Sequence, residues 1–100
     1  MLRHIVMWNF KDGLTDIENQ KNAEKLKLEL EALTQSIREV AALKVYVNAL
    51  ASSNMDIVLD STFESEEAME KYKNHPEHQK LLPFIASAFQ NRCVIDYYEV

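Results

Sequence analysis

The sequence predicts an α+β fold in which two helical regions lie against a four-stranded antiparallel sheet. Three observations support this class. The chain begins and ends with segments rich in β-branched and aromatic residues, LRHIVMWNF and NRCVIDYYEV, which is typical of strands. Two segments between them carry apolar residues at helical spacing, and two further apolar runs flank the turn-forming sequence ASSN. The resulting order, β-α-β-β-α-β, is the ferredoxin-like arrangement.

The first strand is predicted from Leu2 to Phe10, where the turn sequence KDG follows. Side chains alternate along a strand, so its two faces carry different residues. The two sets are His4, Val6, Trp8 and Phe10 on one face, and Ile5 and Met7 on the other. Both faces are largely apolar, which indicates that both are covered in the folded protein.

The first helix is predicted from about Thr15 to the mid-thirties. The sequence TDIE fits a capping box, in which Thr15 accepts a hydrogen bond from a free backbone N–H and Glu18 reaches back. Apolar residues then recur at spacings of four, three and four: Leu26, Leu30, Leu33 and Ile37. This spacing builds one apolar helix face.

The two central strands are predicted at Val40 to Leu50 and at Met55 to Phe63, paired antiparallel across ASSN. Ser65 follows as the cap of a second helix. Tyr72 lies on the predicted inner side of that helix.

The second helix is predicted to break at His75-Pro76. A residue before proline avoids helical geometry, whereas proline itself suits a first helical position. We therefore expect a short helix from Pro76 to about Leu82. Pro83 should interrupt the chain again, and FIASAF should add one more helical turn before the last strand.

This arrangement leaves one sheet face without a cover, because two helices cover only one face of such a sheet. An open face bearing Val6, Trp8 and Phe10 would be a large exposed apolar patch. The simplest cover is a second copy of the same sheet across a two-fold axis. We therefore expect a homodimer, paired as a dimeric α/β barrel, with Val6 and Trp8 in its interface.

Composition indicates one globular domain over residues 1–100, which carry a net charge of -5. Its eleven Lys and Arg residues are scattered, which argues against a nucleic-acid partner. No apolar run approaches the length of a membrane helix, and the N-terminus does not resemble a signal sequence. The single cysteine, Cys93, fits a reducing compartment and is expected to be a core residue. We therefore expect a cytoplasmic protein with no membrane partner.

Three stretches of the chain resemble the stress-responsive dimeric α/β-barrel family: HIVMWNFKDG, TFESEEAMEKYKNHPEH and CVIDYYE. The resemblance implies two ferredoxin-like sheets paired into a dimeric barrel, with a pocket between each sheet and its second helix. Around the Tyr-x-x-His-Pro-x-His motif the chain is similar to polyketide cyclases of the olivetolic acid cyclase type. The tyrosine and second histidine of those enzymes act in an intramolecular aldol-type ring closure, and they match Tyr72 and His78 here.

The residue types of Tyr72 and His78 suit proton removal beside a carbonyl. Histidine has an ordinary pKa close to neutral pH, so His78 is the candidate general base. Tyrosine stays protonated and can donate a hydrogen bond to an oxygen on which enolate charge develops, which makes Tyr72 the candidate stabilising group. Inner-face helical tyrosines also serve as ordinary core residues, and this alternative stays open for Tyr72.

Further pocket residues are expected on the first strand, where the resemblance implies that the counterpart of His4 lies near the pocket. Val6 and Trp8 share the alternation of His4 and are candidate walls for a small apolar or carbonyl ligand. His75 is the remaining candidate, although it could instead cap the short helix. His75 and His78 have a tolerable spacing for a metal, but no carboxylate pattern accompanies them, so we predict no metal site and no cofactor.

Three functions remain open on the sequence. The first is a cofactor-free enzyme that acts on a small carbonyl compound of polyketide type by acid–base chemistry. The second is a non-catalytic dimer that binds a small molecule or has a structural role under stress. The third is a haem- or quinol-type monooxygenase of the wider group of dimeric barrels.

Overall fold

The structure, a computed structural model, describes residues 1–100 and follows the predicted order of elements. Along the chain these are β1 (Leu2–Phe10), α1 (Asp16–Ser36), β2 (Ala42–Tyr46), β3 (Ile57–Phe63), α2 (Glu66–Asn74), α3 (Pro76–Gln79), α4 (Leu82–Ala88) and β4 (Phe89–Tyr98). The strands form one antiparallel sheet in the order β2-β3-β1-β4. The predicted α+β, ferredoxin-like fold is therefore confirmed. No helix combines the length and the apolar character that crossing a bilayer requires.

The helix starts lie where the capping residues predict them. The Thr15 side chain accepts a hydrogen bond from the Glu18 N–H at 3.1 Å, and α1 begins at the next residue, Asp16. The Ser65 side chain accepts in the same way from the Ala68 N–H at 3.1 Å and begins α2. Each cap satisfies a backbone donor that the first turn of a helix leaves free.

The predicted break between α2 and α3 is also present. His75 is extended, with φ -67° and ψ 136°, and Pro76 opens α3. The His75 Nδ1 accepts a hydrogen bond from the Glu77 N–H at 3.1 Å, so the imidazole caps α3. The helix that begins at Pro76 ends at Gln79, earlier than the expected Leu82. The further helical segment, α4, begins at Leu82 and holds Pro83 in its first turn, where no backbone N–H is required.

The strand ends differ from the sequence prediction. β2 and β3 are shorter than expected and span Ala42–Tyr46 and Ile57–Phe63. Just before β3, the Asp56 carboxylate accepts a hydrogen bond from the Phe10 N–H at 2.9 Å. β4 begins earlier, at Phe89, and its pairing with β1 shifts between Met7 and Asn9. Asn91 lies at this irregularity with a positive φ of 57°. These changes depend on contacts between segments far apart in the chain.

The core lies between the sheet and the helices, and it includes the face of β1 that was expected to be covered by a second copy of the sheet. Val6 is 1% exposed and Trp8 is 5% exposed within the single chain. The interface predicted for these two residues is therefore wrong, because α1 and the α2–α4 region cover their face. Leu26, Leu30, Leu33 and Ile37 of the α1 region are buried in the same core, as their spacing predicts.

The opposite sheet face is the one without a cover. Pairing with β1 places Cys93, Ile95 and Tyr97 of β4 beside Met7, Ile5 and Arg3 on this face. Ile95 is 55% exposed and Tyr97 is 43% exposed. Cys93 was expected in the core and is instead exposed, because it lies on this open face of an edge strand.

Candidate functional site

The candidate site is a cavity of about 380 Å³ between the sheet and the helices. Every strand and helix except β2 contributes to its lining, which is mostly apolar. Its chemistry comes from a few polar side chains, chiefly His4, Tyr72, His78 and Arg92. An apolar cavity with a small number of convergent polar groups is the usual form of a small-molecule site.

A larger cavity of about 540 Å³ lies against the open sheet face and the loop between β2 and β3. It contains no histidine. Its one carboxylate, Asp56, already accepts hydrogen bonds from the Phe10 N–H at 2.9 Å and the Asn9 amide at 3.3 Å. Size alone therefore does not make this cavity the better candidate.

Tyr72 reaches the cavity from α2 and carries a hydroxyl without a protein partner. The residue is only 1% exposed, and its oxygen makes no hydrogen bond. Burial raises the pKa of this phenol well above its ordinary value, while the charge of Arg92 opposes the rise. The hydroxyl therefore stays protonated at neutral pH and is available to donate to a ligand oxygen. A buried polar group left unpaired in this way is unfavourable unless something else satisfies it.

His78 lies beside Tyr72, with 4.6 Å between the ring centroids. The His78 Nδ1 is 3.0 Å from the backbone oxygen of Lys73. A carbonyl oxygen can only accept, so Nδ1 carries the proton and Nε2 keeps its lone pair. This hydrogen bond assigns the tautomer that a general base requires.

The helix break at Pro76 explains why the Lys73 oxygen is available to His78. In an unbroken helix this oxygen would accept from the N–H four residues later, which belongs to Glu77. The Glu77 N–H instead donates to His75. The Lys73 oxygen therefore accepts from His78, and also from the Gln79 amide at 2.7 Å. The break both turns the chain and orients the imidazole.

The electrostatic surroundings keep His78 uncharged. Burial lowers its pKa below the ordinary value of 6.5, and the hydrogen bond to Lys73 partly opposes this effect. The charges of His4, Arg92 and Lys73 lower the pKa further. His78 is therefore neutral at pH 7, the state in which an imidazole can accept a proton.

His4 lies on the sheet side of the cavity and is held by a residue that sequence reasoning missed. It is 3% exposed, and its Nδ1 is hydrogen-bonded to the Asp96 carboxylate. Because a carboxylate only accepts, His4 is the donor through Nδ1. Burial lowers the His4 pKa, whereas Asp96 raises it, and the net direction is downward. The antiparallel register pairs His4 with Asp96 directly, so pairing of the terminal strands was the signal for this contact.

The structure brings together five of the six predicted site residues: His4, Val6, Trp8, Tyr72 and His78 all line the cavity. His75 is not among the lining residues, and its ring nitrogen is occupied by the cap of α3. Arg92 of β4 lines the cavity and was not predicted. No local sequence pattern marked it, because its place at the cavity depends on the pairing of β4 with β1, which are far apart in the chain.

A family model for the stress responsive A/B barrel domain matches residues 2–99 of this chain. The chain belongs to this family. Among proteins of curated function, none shows significant sequence similarity to it. The family assignment agrees with the resemblance seen in the three sequence stretches.

Solved structures of similar fold span most of the chain. A dimeric ferredoxin-like protein of unknown function from Bacteroides fragilis is 26% identical, with a TM-score of 0.90, over 96% of this chain and 93% of its own. Hydroxynitrile lyase from Passiflora edulis is 19% identical, with a TM-score of 0.79, over 96% of this chain and 90% of its own. An antibiotic biosynthesis monooxygenase is 19% identical, with a TM-score of 0.78, over 100% of this chain and 99% of its own. At these last two identities the likeness establishes the fold alone.

Proposed function

We propose that this family member is a cofactor-free enzyme that binds a small carbonyl compound in the 380 Å³ cavity and removes a proton beside the carbonyl. The observation that carries the proposal is the Tyr72–His78 pair. A buried hydroxyl without a protein partner lies next to an imidazole whose Nε2 is left free. We further propose that residues 1–100 act as one cytoplasmic domain, a location that the single cysteine favours.

In the proposed reaction, His78 Nε2 takes the proton from the carbon next to the carbonyl. The electron pair of the C–H bond becomes part of the enolate, and charge develops on the carbonyl oxygen. Tyr72 donates its O–H to that oxygen as the charge builds. The apolar lining excludes water and strengthens this donation. His4, held by Asp96, lines the same cavity and completes its polar side.

A ring closure of polyketide type is the reaction that the sequence resemblance favours. The enolate carbon would attack a second carbonyl of the same molecule, forming a carbon–carbon bond. The oxygen of that second carbonyl would take the proton that His78 holds, so atoms and charge balance without a cofactor. The hydroxynitrile lyase of the same fold supports the view that this fold can hold an enzyme site.

The second candidate function is a non-catalytic homodimer that binds a small molecule. It is supported by the open sheet face, where Ile95 and Tyr97 are exposed. A patch of this kind is usually covered by another protein surface. The solved relative from Bacteroides fragilis is described as dimeric. We propose a homodimer for this chain under both functions, with this open face, rather than Val6 and Trp8, in the interface.

The enzyme proposal is tested by exchange of α-protons in deuterated buffer, followed by NMR over a panel of β-polyketo and other enolisable carbonyl compounds. We expect His78→Ala and Tyr72→Phe each to slow exchange on the order of a hundredfold. The double variant should be hardly slower than the poorer single one, because groups that act as a unit are not additive.

The matched control is His75→Asn, which changes a histidine of the same motif that lies outside the cavity. Asparagine keeps an acceptor for the cap of α3, so this variant should exchange like wild type. Tyr72→Phe should leave the free energy of unfolding within about 0.5 kcal/mol, because the lost hydroxyl has no protein partner. If wild type exchanges the α-protons of no compound in the panel faster than buffer alone does, the enzyme proposal is wrong and the non-catalytic binding dimer is the function that remains.

A further inference from the structure

The cavity carries a positive charge that no protein group neutralises. Arg92 lines the cavity from β4 and makes no ion pair or side-chain hydrogen bond. The other two arginines of the chain are paired, Arg3 with Asp60 and Glu99, and Arg38 with Glu39. Arg92 is thus the one arginine without a carboxylate partner, although the protein carries a net charge of -5.

The charge of Arg92 acts on the groups of the site. Arg92 lines the same cavity as Tyr72, His4 and His78. Its charge acts to lower the pKa of each of the three, although burial makes the net shift of the Tyr72 pKa upward. Lys73 is the other cation nearby, but its ammonium group is 3.6 Å from the Glu70 carboxylate. Arg92 is therefore the cation that remains free for a ligand.

No acidic side chain lines the cavity to compensate for Arg92. Asp96 is the carboxylate on the same face of β4, and it is engaged with His4. Arg92 itself is exposed, so it stands at the solvent side of the cavity, whereas Tyr72 is buried. A ligand that spans this distance would meet a cation at its outer end and a hydrogen-bond donor at its inner end.

We propose that Arg92 binds a carboxylate of the substrate, so that the substrate class is an oxo-carboxylic acid with an apolar body. The planar guanidinium matches a carboxylate through two parallel hydrogen bonds. Bound in this way, the substrate directs its carboxylate to the mouth of the cavity and its ketone towards Tyr72 and His78. This inference rests on the proposed function, because it assigns the substrate of the same site.

The experiment compares benzoylpropionic acid with its methyl ester, which differ in charge but share the ketone and the apolar body. Binding of each to the full chain is measured by NMR titration at low salt. Wild type should bind the acid about tenfold or more tightly than the ester. Arg92→Gln should lose this preference while binding the ester as before, and Arg92→Lys should keep part of it.

The matched control is Arg38→Gln, which removes the same charge at a surface position away from the cavity, where the Arg38 side chain is 93% exposed. It should keep the preference for the acid, which separates a local contact from a change in net charge. Equal affinities of wild type for acid and ester, including no measurable binding of either, overturn the inference. An unchanged preference in Arg92→Gln also overturns it.

The two proposals fail in different ways. Loss of the preference in Arg92→Gln without any α-proton exchange by wild type leaves the carboxylate site intact and removes the catalytic proposal. If wild type exchanges the α-protons of the acid and of the ester equally fast, Arg92 has no role in binding the substrate. His78 and Tyr72 would then still be the reacting pair. In an active enzyme, Arg92→Gln should raise KM for the acid more than it lowers kcat, since Arg92 binds the end of the substrate that does not react.

Discussion

The two faces of the sheet begin from similar sequence and end in different environments. Along β1, His4, Val6 and Trp8 are buried beneath the helices, whereas Ile5 and Met7 on the other face are only partly buried. Both sets are largely apolar, so hydrophobicity does not distinguish them. An apolar strand face therefore indicates that the face is covered, but it does not indicate by what, because helices and a second sheet can both bury it.

The candidate reacting groups lie on the sheet face that the helices cover. Tyr72, His78 and His4 meet in a mostly apolar lining, and burial shifts all three pKa values. The open face carries instead an ion pair between Arg3 and Asp60, whose side chains are partly exposed. Within the single chain, these two side chains keep part of their contact with solvent. The site is therefore expected on the face that the chain closes by itself.

The largest expected effect comes from placing a charge on each face in turn. Trp8→Glu should lower the free energy of unfolding by about 3–5 kcal/mol, because it removes a large core side chain and buries a carboxylate. Ile95→Glu should leave the chain folded, since Ile95 is 55% exposed, and should weaken self-association roughly tenfold or more. Chemical denaturation and analytical ultracentrifugation measure the two effects. A Trp8→Glu variant as stable as wild type would contradict the burial of Trp8 beneath the helices. An Ile95→Glu dimer of unchanged affinity would contradict the proposed interface on the open face.

A smaller effect is expected at Pro76, where the break between α2 and α3 orients His78 towards the cavity. Pro76→Ala should allow α2 to continue through His75 and should change the free energy of unfolding by about 1–2 kcal/mol. The Glu77 N–H would then compete with His78 for the Lys73 oxygen, so the imidazole would lose its orientation. We expect ligand binding, followed by NMR titration, to suffer more than folding. An altered melting temperature with unchanged affinity would mean that Pro76 is only a structural joint.

The smallest expected effect is a dependence of stability on pH that belongs to the covered face. The folded pKa of His78 lies below its ordinary value of 6.5, and the same holds for His4. The unfolded chain therefore binds more protons below pH 6.5, and stability should fall as the pH drops from there through the folded pKa values. His78→Gln should weaken this dependence in denaturation curves between pH 7 and pH 5. Exchange activity should hold at pH 7 and fall over the same acidic range, because protonated His78 cannot act as a base.

If His78→Gln showed the same pH dependence of stability as wild type, the imidazole would not be buried as described. Arg38→Gln, a change at an exposed position away from the cavity, is the suitable control. It should leave the pH dependence of stability between pH 7 and pH 5 close to that of wild type.

Within the candidate site, the sequence indicated the residue types but not all of their partners. Tyr72 and His78 were predicted from the motif around Pro76, and both line the cavity. Asp96 and Arg92 were missed, because they reach the site only through the pairing of β4 with β1. Such pairings join residues that are far apart in the chain, and no local spacing marks them.

The features that could be predicted from the amino-acid sequence are local. The caps at Thr15 and Ser65, the break before Pro76 and the order of strands and helices follow from residues that are neighbours in the chain. Backbone propensity and capping act over a few residues, so a reader of the sequence can recognise them. These features are sufficient to predict the fold class and the position of the motif.

The face of the sheet that the helices cover depends instead on packing between distant segments and could not be predicted from local sequence. That choice buried Val6 and Trp8, exposed Cys93 and Ile95, and left the Tyr72 hydroxyl without a partner beside His78. The physical reason is that burial and pKa depend on everything packed around a group. The same alternation of side chains along a strand is compatible with either face turned inward.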